Sequence, residues 1–134
     1  MAIEKTYSMI KPNAVAAGHV GEIITRFERS ELSIERIELA TLTPEQVKLG
    51  YEEHEGKPFY PPLIEFMLSG PVVKMVISGE NAVARCREIM GATDPEKAEP
   101  GTIRADFGTS VRENAIHGSD SPESAAREIS IYFG

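Results

Sequence analysis

The sequence has little cysteine, no long apolar run and no excess of basic residues, and each shortage excludes a class of protein. Its single cysteine, Cys86, permits neither an internal disulfide nor a cysteine-based metal cluster, which agrees with a reducing compartment. No segment approaches the roughly 18 apolar residues that span a bilayer. The first five residues also lack the pattern of a secretory signal. We therefore expect a cytoplasmic protein with no membrane partner.

The charge balance is acidic, with 14 Lys and Arg against 21 Asp and Glu, which gives a net charge of −7. A general nucleic-acid or anionic-membrane surface needs a basic footprint, so no specific nucleic-acid partner is expected. Any phosphate site must be a local cluster of basic side chains. The 134 residues suffice for one sizeable core, and we expect a single domain over residues 1–134.

The glycine-rich phosphate loops are missing too: the sequence contains no Gly-x-x-x-x-Gly-Lys-Ser/Thr, and no strand is followed by Gly-x-Gly-x-x-Gly. Side chains must therefore bind any phosphate. The candidates near irregular segments are Lys11, Arg87, Thr93, Arg104 and Arg112. Guanidinium groups suit phosphate oxygens because they offer paired donors in a fixed plane, although a single Arg is more often a solvated surface residue. Helical spacing does not separate Arg85 from Arg87, since both border an apolar stripe.

Periodicity and chain breakers predict the main element order β, α, β, β, α, β, with short helices before the third strand and one helix appended at the end. The predicted strands cover residues 6–11, 32–42, 72–78 and 114–117. The predicted helices begin near Val20 and cover 43 to about 55–56, 61–70, 81–90 and the segment after Ser121. This order is typical of an α/β (α+β) fold, the ferredoxin-like βαββαβ sandwich, in which helices cover a four-stranded antiparallel sheet.

Several details of these elements are open to direct comparison with a structure. The apolar phase of the second strand changes between Ile34 and Ile37, which a bulge would explain. The third strand is expected to be central and buried apart from Lys74. The long connection 92–113 is expected to be ordered, with a turn of helix near 102–107, because it holds Ile103, Phe107 and Val111. The buried stripe of the last helix is expected to comprise Ala125, Ala126, Ile129 and Tyr132.

The segment from Asn114 to Ser121 places one imidazole, that of His117, beside Gly118. Neutral imidazole carries an in-plane lone pair and can attack phosphorus without a base, so His117 is a candidate phosphate carrier. A histidine near a turn is more often a partly exposed or hydrogen-bonded residue. Glu128 lies at the margin of the last helix's stripe, where its carboxylate could orient the His117 ring, whereas Arg127 projects nearly opposite. An ordinary surface glutamate fits the spacing of Glu128 equally well.

Tyr51 and Phe59 flank the break Gly56-Lys57-Pro58, where an exposed aromatic side chain could stack on a base. By themselves, the residues favour the alternative that both rings pack the inserted helices. His19 and His54 have no partner pattern of a zinc site and receive no role.

Taken together, these segments resemble those of the nucleoside diphosphate kinase family, and the resemblance extends over essentially the whole chain. The matching stretches are Thr-Tyr-Ser-Met-Ile-Lys-Pro-Asn-Ala-Val at 6–15, Gly-Glu-Ile-Ile at 21–24, Tyr51 with His54, Lys-Pro-Phe-Tyr at 57–60, Ser-Gly-Pro-Val at 69–72, Arg87 with Gly-Ala-Thr at 91–93 and Pro95, Pro-Gly-Thr-Ile-Arg at 100–104, and 114–121. One departure is Asn13, where the family usually has Asp, which removes a charge beside Lys11.

The resemblance implies a ping-pong kinase in which His117 takes the γ-phosphate of a nucleoside triphosphate, typically ATP, and passes it to a nucleoside diphosphate such as GDP. It implies a pros-phosphohistidine, whereas the residues alone leave the attacking ring nitrogen open. It also implies Mg²⁺ carried on the nucleotide phosphates instead of in a protein cage. A homo-oligomer, either a tetramer or a hexamer, is implied as well, and the sequence does not choose between them.

The same resemblance assigns a role to each further site residue. Lys11 and Asn114 would bind the sugar hydroxyls, while Arg87, Thr93 and Arg104 would bind the phosphates. Phe59 would stack on the base with Val111 facing it, Tyr51 would lie near the transferring phosphoryl group, and Ser119 and Glu128 would support His117.

The alternative function is a non-catalytic nucleotide-binding module on the same fold. Sequence-specific DNA binding has little support at this net charge.

Overall fold

The computed structural model describes residues 3–133, whose backbone forms four strands, seven α-helices and one 3₁₀ turn. The strands are β1 (Ile3–Ile10), β2 (Ser33–Ala40), β3 (Val72–Glu80) and β4 (Ile116–Gly118). The helices are α1 (Pro12–Ala16), α2 (Val20–Arg29), α3 (Pro44–Gly50), α4 (Tyr60–Met67), α5 (Ala82–Met90), α6 (Ile103–Phe107) and α7 (Pro122–Phe133), with the 3₁₀ turn at Glu52–His54. No helix within residues 3–133 is long and apolar enough to cross a membrane.

The strands form one sheet in the order β2-β3-β1-β4, and every neighbouring pair is antiparallel. This arrangement confirms the ferredoxin-like prediction. The central strands β1 and β3 pair along their full lengths, from Ile3 opposite Glu80 to Ile10 opposite Val73. Strand β4 joins only the last residues of β1, so its three residues lie at one edge of the sheet.

Alternate residues of the sheet enter two apolar clusters, one on each face. On one face Ile10, Met75 and Ile77 pack with α2, α5 and α6. On the other face Tyr7 and Met9 pack with α3, α4 and α7. Since paired residues of antiparallel strands project to the same side, the strand register decides which face each β4 side chain occupies.

The predicted bulge in β2 is confirmed by a register shift between Ile34 and Arg36. Ile34 lies opposite Ile77, whereas Ile37 and Leu39 lie opposite Met75 and Val73, so all three apolar side chains of β2 face the same side. The extra residue thus accounts for the change of apolar phase along the strand. Because β2 is an edge strand, Ile37 and Leu39 stay 50% and 66% exposed.

The start of α3 is as predicted, but its end is not. Thr43 and Gln46 form the full capping box, with hydrogen bonds of 3.0 and 3.1 Å. The helix then ends at Gly50 instead of continuing to 55–56, and the chain turns into the 3₁₀ segment. At this point Tyr51 is only 7% exposed, so its ring turns into the core. Burial of Tyr51 is a tertiary requirement that helical spacing does not reveal.

Two burial predictions were wrong. Lys74 is itself buried, because its ammonium donates to the Tyr132 carbonyl and pairs with Glu38, both at 2.9 Å. Ala126 is exposed instead of lying in the buried stripe of α7. For Glu128, which was predicted at the margin of that stripe with an ordinary surface position equally open, the structure decides for burial on the face that carries Ala125 and Tyr132.

Within the connection 92–113, α6 confirms the predicted turn of helix, and Ile103 is fully buried. Val111, in contrast, is 56% exposed and contributes nothing to the core. The last strand starts at Ile116, since the positive φ of Ala115 (78°) interrupts the extended conformation.

Candidate active site

A pocket of about 810 Å³ opens beside β4 and brings together ten of the eleven residues that the resemblance nominated. Its walls include Lys11, Tyr51, Phe59, Arg87, Thr93, Arg104, Val111, Asn114, His117 and Glu128. The eleventh, Ser119, is buried and contacts Glu128. These residues come from distant parts of the chain, so only the folded sheet and its connections bring them to one place.

His117 is placed by the register of β4. It lies opposite Met9, so its ring projects to the face of the sheet that α7 covers. There its Nε2 lies 2.5 Å from Oε1 of Glu128. The Ser119 hydroxyl donates to the same oxygen at 3.0 Å. A carboxylate in contact with Nε2 favours the tautomer that carries its proton there, in which the lone pair lies on Nδ1.

Lys11 directly follows β1, where Pro12 starts α1. Its backbone N–H donates to the Ala115 carbonyl at 2.8 Å, which ties this strand end to the segment before β4. The side chain is 6% exposed and lines the pocket. Burial and, secondarily, the neighbouring Arg104 lower the pKa of Lys11 to about 7. An anion that binds next to this buried amine would stabilise its charged form.

Arg104 projects from α6, which Thr102 caps at its N-terminus. Its guanidinium donates to the Gly91 carbonyl at 3.2 Å and to the Ile116 carbonyl at 2.8 Å, while its buried Nε has no hydrogen-bond partner. Burial and then repulsion by Arg87 lower the pKa of Arg104 to about 10, so this group remains charged at neutral pH. None of the ion pairs within residues 3–133 includes Lys11, Arg87 or Arg104.

The structure separates the two α5 arginines that helical spacing left equivalent. Arg87 lines the pocket and donates to the Gly118 carbonyl at 3.3 Å. Arg85 lies on the other side and donates to the carbonyls of Ser30 and Glu80. Of these two α5 arginines, only Arg87 is therefore a candidate phosphate ligand.

The aromatic residues take different positions in the pocket. Tyr51 is 7% exposed, and its hydroxyl is buried without a hydrogen-bond partner. Burial raises the pKa of Tyr51 well above its usual value, so its phenol is a neutral donor. Phe59 is 47% exposed and Val111 56% exposed, and both line the pocket. Packing of the inserted helices therefore does not explain Phe59.

Asn114 also has an unused polar atom in the pocket. Its amide donates to the Thr93 carbonyl at 3.1 Å, whereas its Oδ1 is buried without a partner. This oxygen, the Tyr51 hydroxyl and the Arg104 Nε are buried polar atoms without partners, and the three residues that carry them all line one cavity. Because buried polar atoms are normally hydrogen-bonded, their arrangement fits a polar ligand.

Sequence reasoning missed several wall residues. His54, which received no role, lines the pocket with its ring edge-on to Phe59 at 5.2 Å between centroids and its Nδ1 buried without a partner. Arg127, expected to project away, reaches the wall and donates to the Leu49 carbonyl at 2.6 Å. Asp120 is also in the wall, and a hydrogen bond from Ser124 lowers its pKa. The 3₁₀ turn and the packing of α7 on α3 place His54 and Arg127, and no local sequence signal encodes either.

Comparison with known proteins identifies the family of the chain. The family model described as nucleoside diphosphate kinase matches residues 4–134. The chain belongs to the nucleoside diphosphate kinase family. The kinase from Bdellovibrio bacteriovorus is 53% identical over 133 residues, which cover 99% of this chain and 94% of that protein. The kinase from Legionella pneumophila strain Lens is 55% identical with the same coverage.

Solved structures of the nucleoside diphosphate kinase family share the fold as well. The kinase from Aquifex aeolicus superimposes with a TM-score of 0.95 at 46% identity, covering 99% of this chain and 96% of that one. The apo kinase from Encephalitozoon cuniculi gives a TM-score of 0.96 at 38% identity, covering 98% and 89%. This kinase family consists of phosphotransferases that act on nucleotides, and the chain is one of them.

Proposed function

We propose that Nδ1 of His117 is the nucleophile of a ping-pong nucleoside diphosphate kinase reaction. The support is the 2.5 Å contact between Nε2 and Glu128, which orients the ring and leaves the Nδ1 lone pair free. In the first half-reaction a bond forms between Nδ1 and the γ-phosphorus. The bond from this phosphorus to the β,γ-bridging oxygen breaks, and a nucleoside diphosphate leaves. In the second half-reaction a terminal oxygen of another nucleoside diphosphate bonds to this phosphorus, the bond between Nδ1 and phosphorus breaks, and the unmodified His117 imidazole is restored.

The cationic wall would stabilise both half-reactions. Arg87 and Arg104 would hold the phosphates with Thr93, and Lys11 would lie between the phosphates and the sugar. A loose phosphoryl-transfer transition state mainly requires alignment and neutralisation of charge. The absence of ion-pair partners for Lys11, Arg87 and Arg104 within the described residues leaves their charges available to an anionic ligand. The neutral Tyr51 hydroxyl would donate near the transferring group.

The outer part of the pocket would bind the nucleoside. Phe59 and Val111, both half exposed, would contact the two faces of the base, while Asn114 and Lys11 would bind sugar hydroxyls. Stacking does not distinguish bases through their hydrogen-bonding edges, so the arrangement predicts tolerance among ATP, GDP and other nucleotides.

Mg²⁺ fits this site as a companion of the nucleotide. Residues 3–133 contain no group of three or more His, Cys, Asp or Glu that could hold a metal ion. Asp120, an acidic wall residue that interacts electrostatically with Arg87, could receive water ligands of a phosphate-bound ion. When bound, Mg²⁺ would offset phosphate charge, while the protein side chains align the nucleotide.

We also propose a homo-oligomer, a tetramer or a hexamer, formed by a single domain over residues 1–134. The exposed apolar residues Ile37 and Leu39 on the edge strand β2 support self-association, because such an edge is open to pairing with a second chain. The cytoplasmic location expected from the sequence stays a prediction.

The decisive experiment is a phosphoenzyme assay with radiolabelled Mg-ATP followed by peptide mapping. We expect an acid-labile, base-stable phosphohistidine at His117 that passes its phosphate to GDP. His117→Gln should form no phosphoenzyme and retain ADP binding, whereas His54→Gln, which keeps the nucleophile, should still be labelled. A His117→Gln protein with undiminished exchange would refute the proposal and favour a role for the pocket in binding alone.

A further inference from the structure

The helix that carries Arg104 is too short to hold its own position. Helix α6 comprises five residues, and an isolated helix of this length is unstable in water because nucleation fixes several residues for one hydrogen bond. Its position must come from tertiary contacts. At its start Ile103 is fully buried in the core. Its last two residues, Asp106 and Phe107, are held by a different element, α2.

One side chain of α2, Arg26, makes most of these contacts. Its NH2 lies 2.8 Å from Oδ2 of Asp106, and its NH1 donates to the Gly101 carbonyl at 3.1 Å. Its Cζ lies 4.7 Å from the ring centre of Phe107. Glu22, one turn earlier on α2, pairs with its Nε at 3.5 Å. We call this set of contacts the Arg26 clasp.

The clasp fixes both ends of the segment that delivers Arg104. Gly101 precedes the Thr102 cap, and Asp106 and Phe107 end the helix, so Arg26 contacts the backbone before Arg104 and two side chains after it. The ring of His19 also stacks on Phe107, at 4.4 Å between centroids. Arg26 itself does not line the pocket. Its effect on a bound nucleotide must therefore pass through the residues of α6.

We propose that Arg26 is a positioning residue for phosphoryl transfer, because its clasp on residues 101–107 sets the direction of the Arg104 guanidinium. The inference rests on the phosphate-binding role proposed above for Arg104. The Arg104 guanidinium donates to the carbonyls of both Gly91 and Ile116. A small shift of α6 would therefore alter the geometry of both hydrogen bonds and the position of the unpartnered Nε at the same time. A displacement of about 1 Å at a catalytic group can lower a rate by about 100-fold.

The side chains of the clasp are partly exposed to solvent, so their contacts should contribute little to the free energy of unfolding. The side chains of Arg26 and Asp106 are 20% and 36% exposed, and ion pairs in contact with solvent contribute little to folding because water screens them. Loss of the clasp should therefore impair the reaction more than it lowers the unfolding temperature. Such a separation distinguishes positioning from a structural contribution.

The test is a double-mutant cycle between Arg26→Gln and Arg104→Gln, with kcat, KM for a nucleoside diphosphate and Tm measured for each protein. Arg29→Gln is the matched control, since Arg29 is an exposed arginine on the same helix outside the pocket. We expect Arg26→Gln to lower kcat/KM by about 10- to 100-fold with Tm nearly unchanged. Arg29→Gln should match the wild type, and Arg26→Lys should recover part of the activity by restoring the charge opposite Asp106.

In the Arg104→Gln background, Arg26→Gln should lower kcat/KM by less than about threefold, because its route to the nucleotide is already lost. Equal losses in both backgrounds would overturn the inference while leaving the role of Arg104 intact. Wild-type activity of Arg104→Gln would instead contradict the phosphate-binding role and the inference with it. If Arg26→Gln does not fold, Asp106→Asn takes its place in the cycle with the same expectations, since it removes the charge that Arg26 contacts.

Discussion

Lys11 and Arg104 are buried cations whose charges have no carboxylate partner within residues 3–133. Burying an uncompensated charge is unfavourable, and the lowered pKa values of both groups express that penalty. Lys11 is the more affected, since its pKa of about 7 lies close to neutrality. The unliganded site is thus less stable than a site with an anion in it, and part of the binding energy is relief of this penalty.

The pKa of Lys11 leads to a prediction for nucleotide binding. At about pH 8 the unliganded amine is mostly neutral, and the phosphates of ADP should raise its pKa and draw a proton from solution. Titration calorimetry of ADP binding in buffers of different ionisation enthalpy should show uptake of up to about one proton per site. Lys11→Gln should abolish this uptake, while Lys48→Gln, at an exposed position on α3, should retain it. Binding heats that are independent of the buffer would contradict the assignment.

A second residue-scale prediction concerns the support of His117. Glu128→Gln keeps the shape of the side chain but removes the negative charge beside Nε2, so phosphoenzyme formation should slow by about 10- to 100-fold. Ser119→Ala removes one hydrogen bond to Glu128, and the loss should be about fivefold, the equivalent of ~1 kcal/mol. Rapid-quench measurements would give both rates. A larger effect for Ser119→Ala than for Glu128→Gln would mean that the carboxylate does not orient the ring.

Sequence-based prediction of single residues worked where neighbours along the chain decide the outcome. The capping pair Thr43 and Gln46 lies within four residues, and it forms as predicted. Glu128 was placed correctly at the margin of the apolar stripe of its helix. Helical spacing alone, however, did not decide between a buried and a surface position for its side chain. His54 received no role because only the 3₁₀ turn and the approach of Phe59 bring its ring into the pocket.

At the scale of elements, the end of α5 decides where two phosphate-binding candidates lie. Gly91 ends this helix with φ +89°, and the chain then turns so that Thr93 and Arg87 both face the pocket. The sequence indicated Gly91 as the helix stop. It did not indicate that the residue also lies directly against Thr102, because that contact joins two elements with no shared periodicity.

Gly91→Ala should therefore be more harmful than an ordinary glycine substitution. A Cβ at this position would come within 2.7 Å of the Thr102 Cβ, in addition to the strain of a left-handed conformation. We expect a loss of roughly 2–4 kcal/mol in the free energy of unfolding. The matched control is Gly18→Ala, which has a similar φ of +81° and no atom within 4 Å, and should lose only about 1 kcal/mol. Urea unfolding of both variants would test this, and equal losses would show that Thr102 adapts freely.

At the scale of the whole molecule, strand order could be predicted because the element order βαββαβ admits few compact arrangements. The position of the pocket along the sheet edge could not, since it depends on how connection 92–113 and the 3₁₀ turn fold over β4. Arg85 and Arg87 illustrate the limit: the helix was predicted correctly, and only its packing against β4 decided which arginine lines the pocket.

The exposed edge strand β2 leads to a prediction about the oligomer. Leu39→Lys on β2 places a charge on the apolar side of the edge and should shift the protein toward smaller species in analytical ultracentrifugation. Leu49→Lys is the control, because Leu49 is also partly exposed but lies on α3. The same mass for Leu39→Lys and the wild type would show that this edge does not hold the oligomer together. A wild-type monomer would refute self-association altogether.

The late position of β4 in the chain also determines when the site can be completed during synthesis. Strands β1, β2 and β3 and the site residues Lys11, Arg87 and Arg104 precede residue 105, whereas His117 and Glu128 follow it. The first three strands are thus synthesised before the proposed nucleophile exists. The proposed nucleophile meets strand β1 and Glu128 only as the last elements fold, so most of the synthesis would pass before the proposed phosphoenzyme could form.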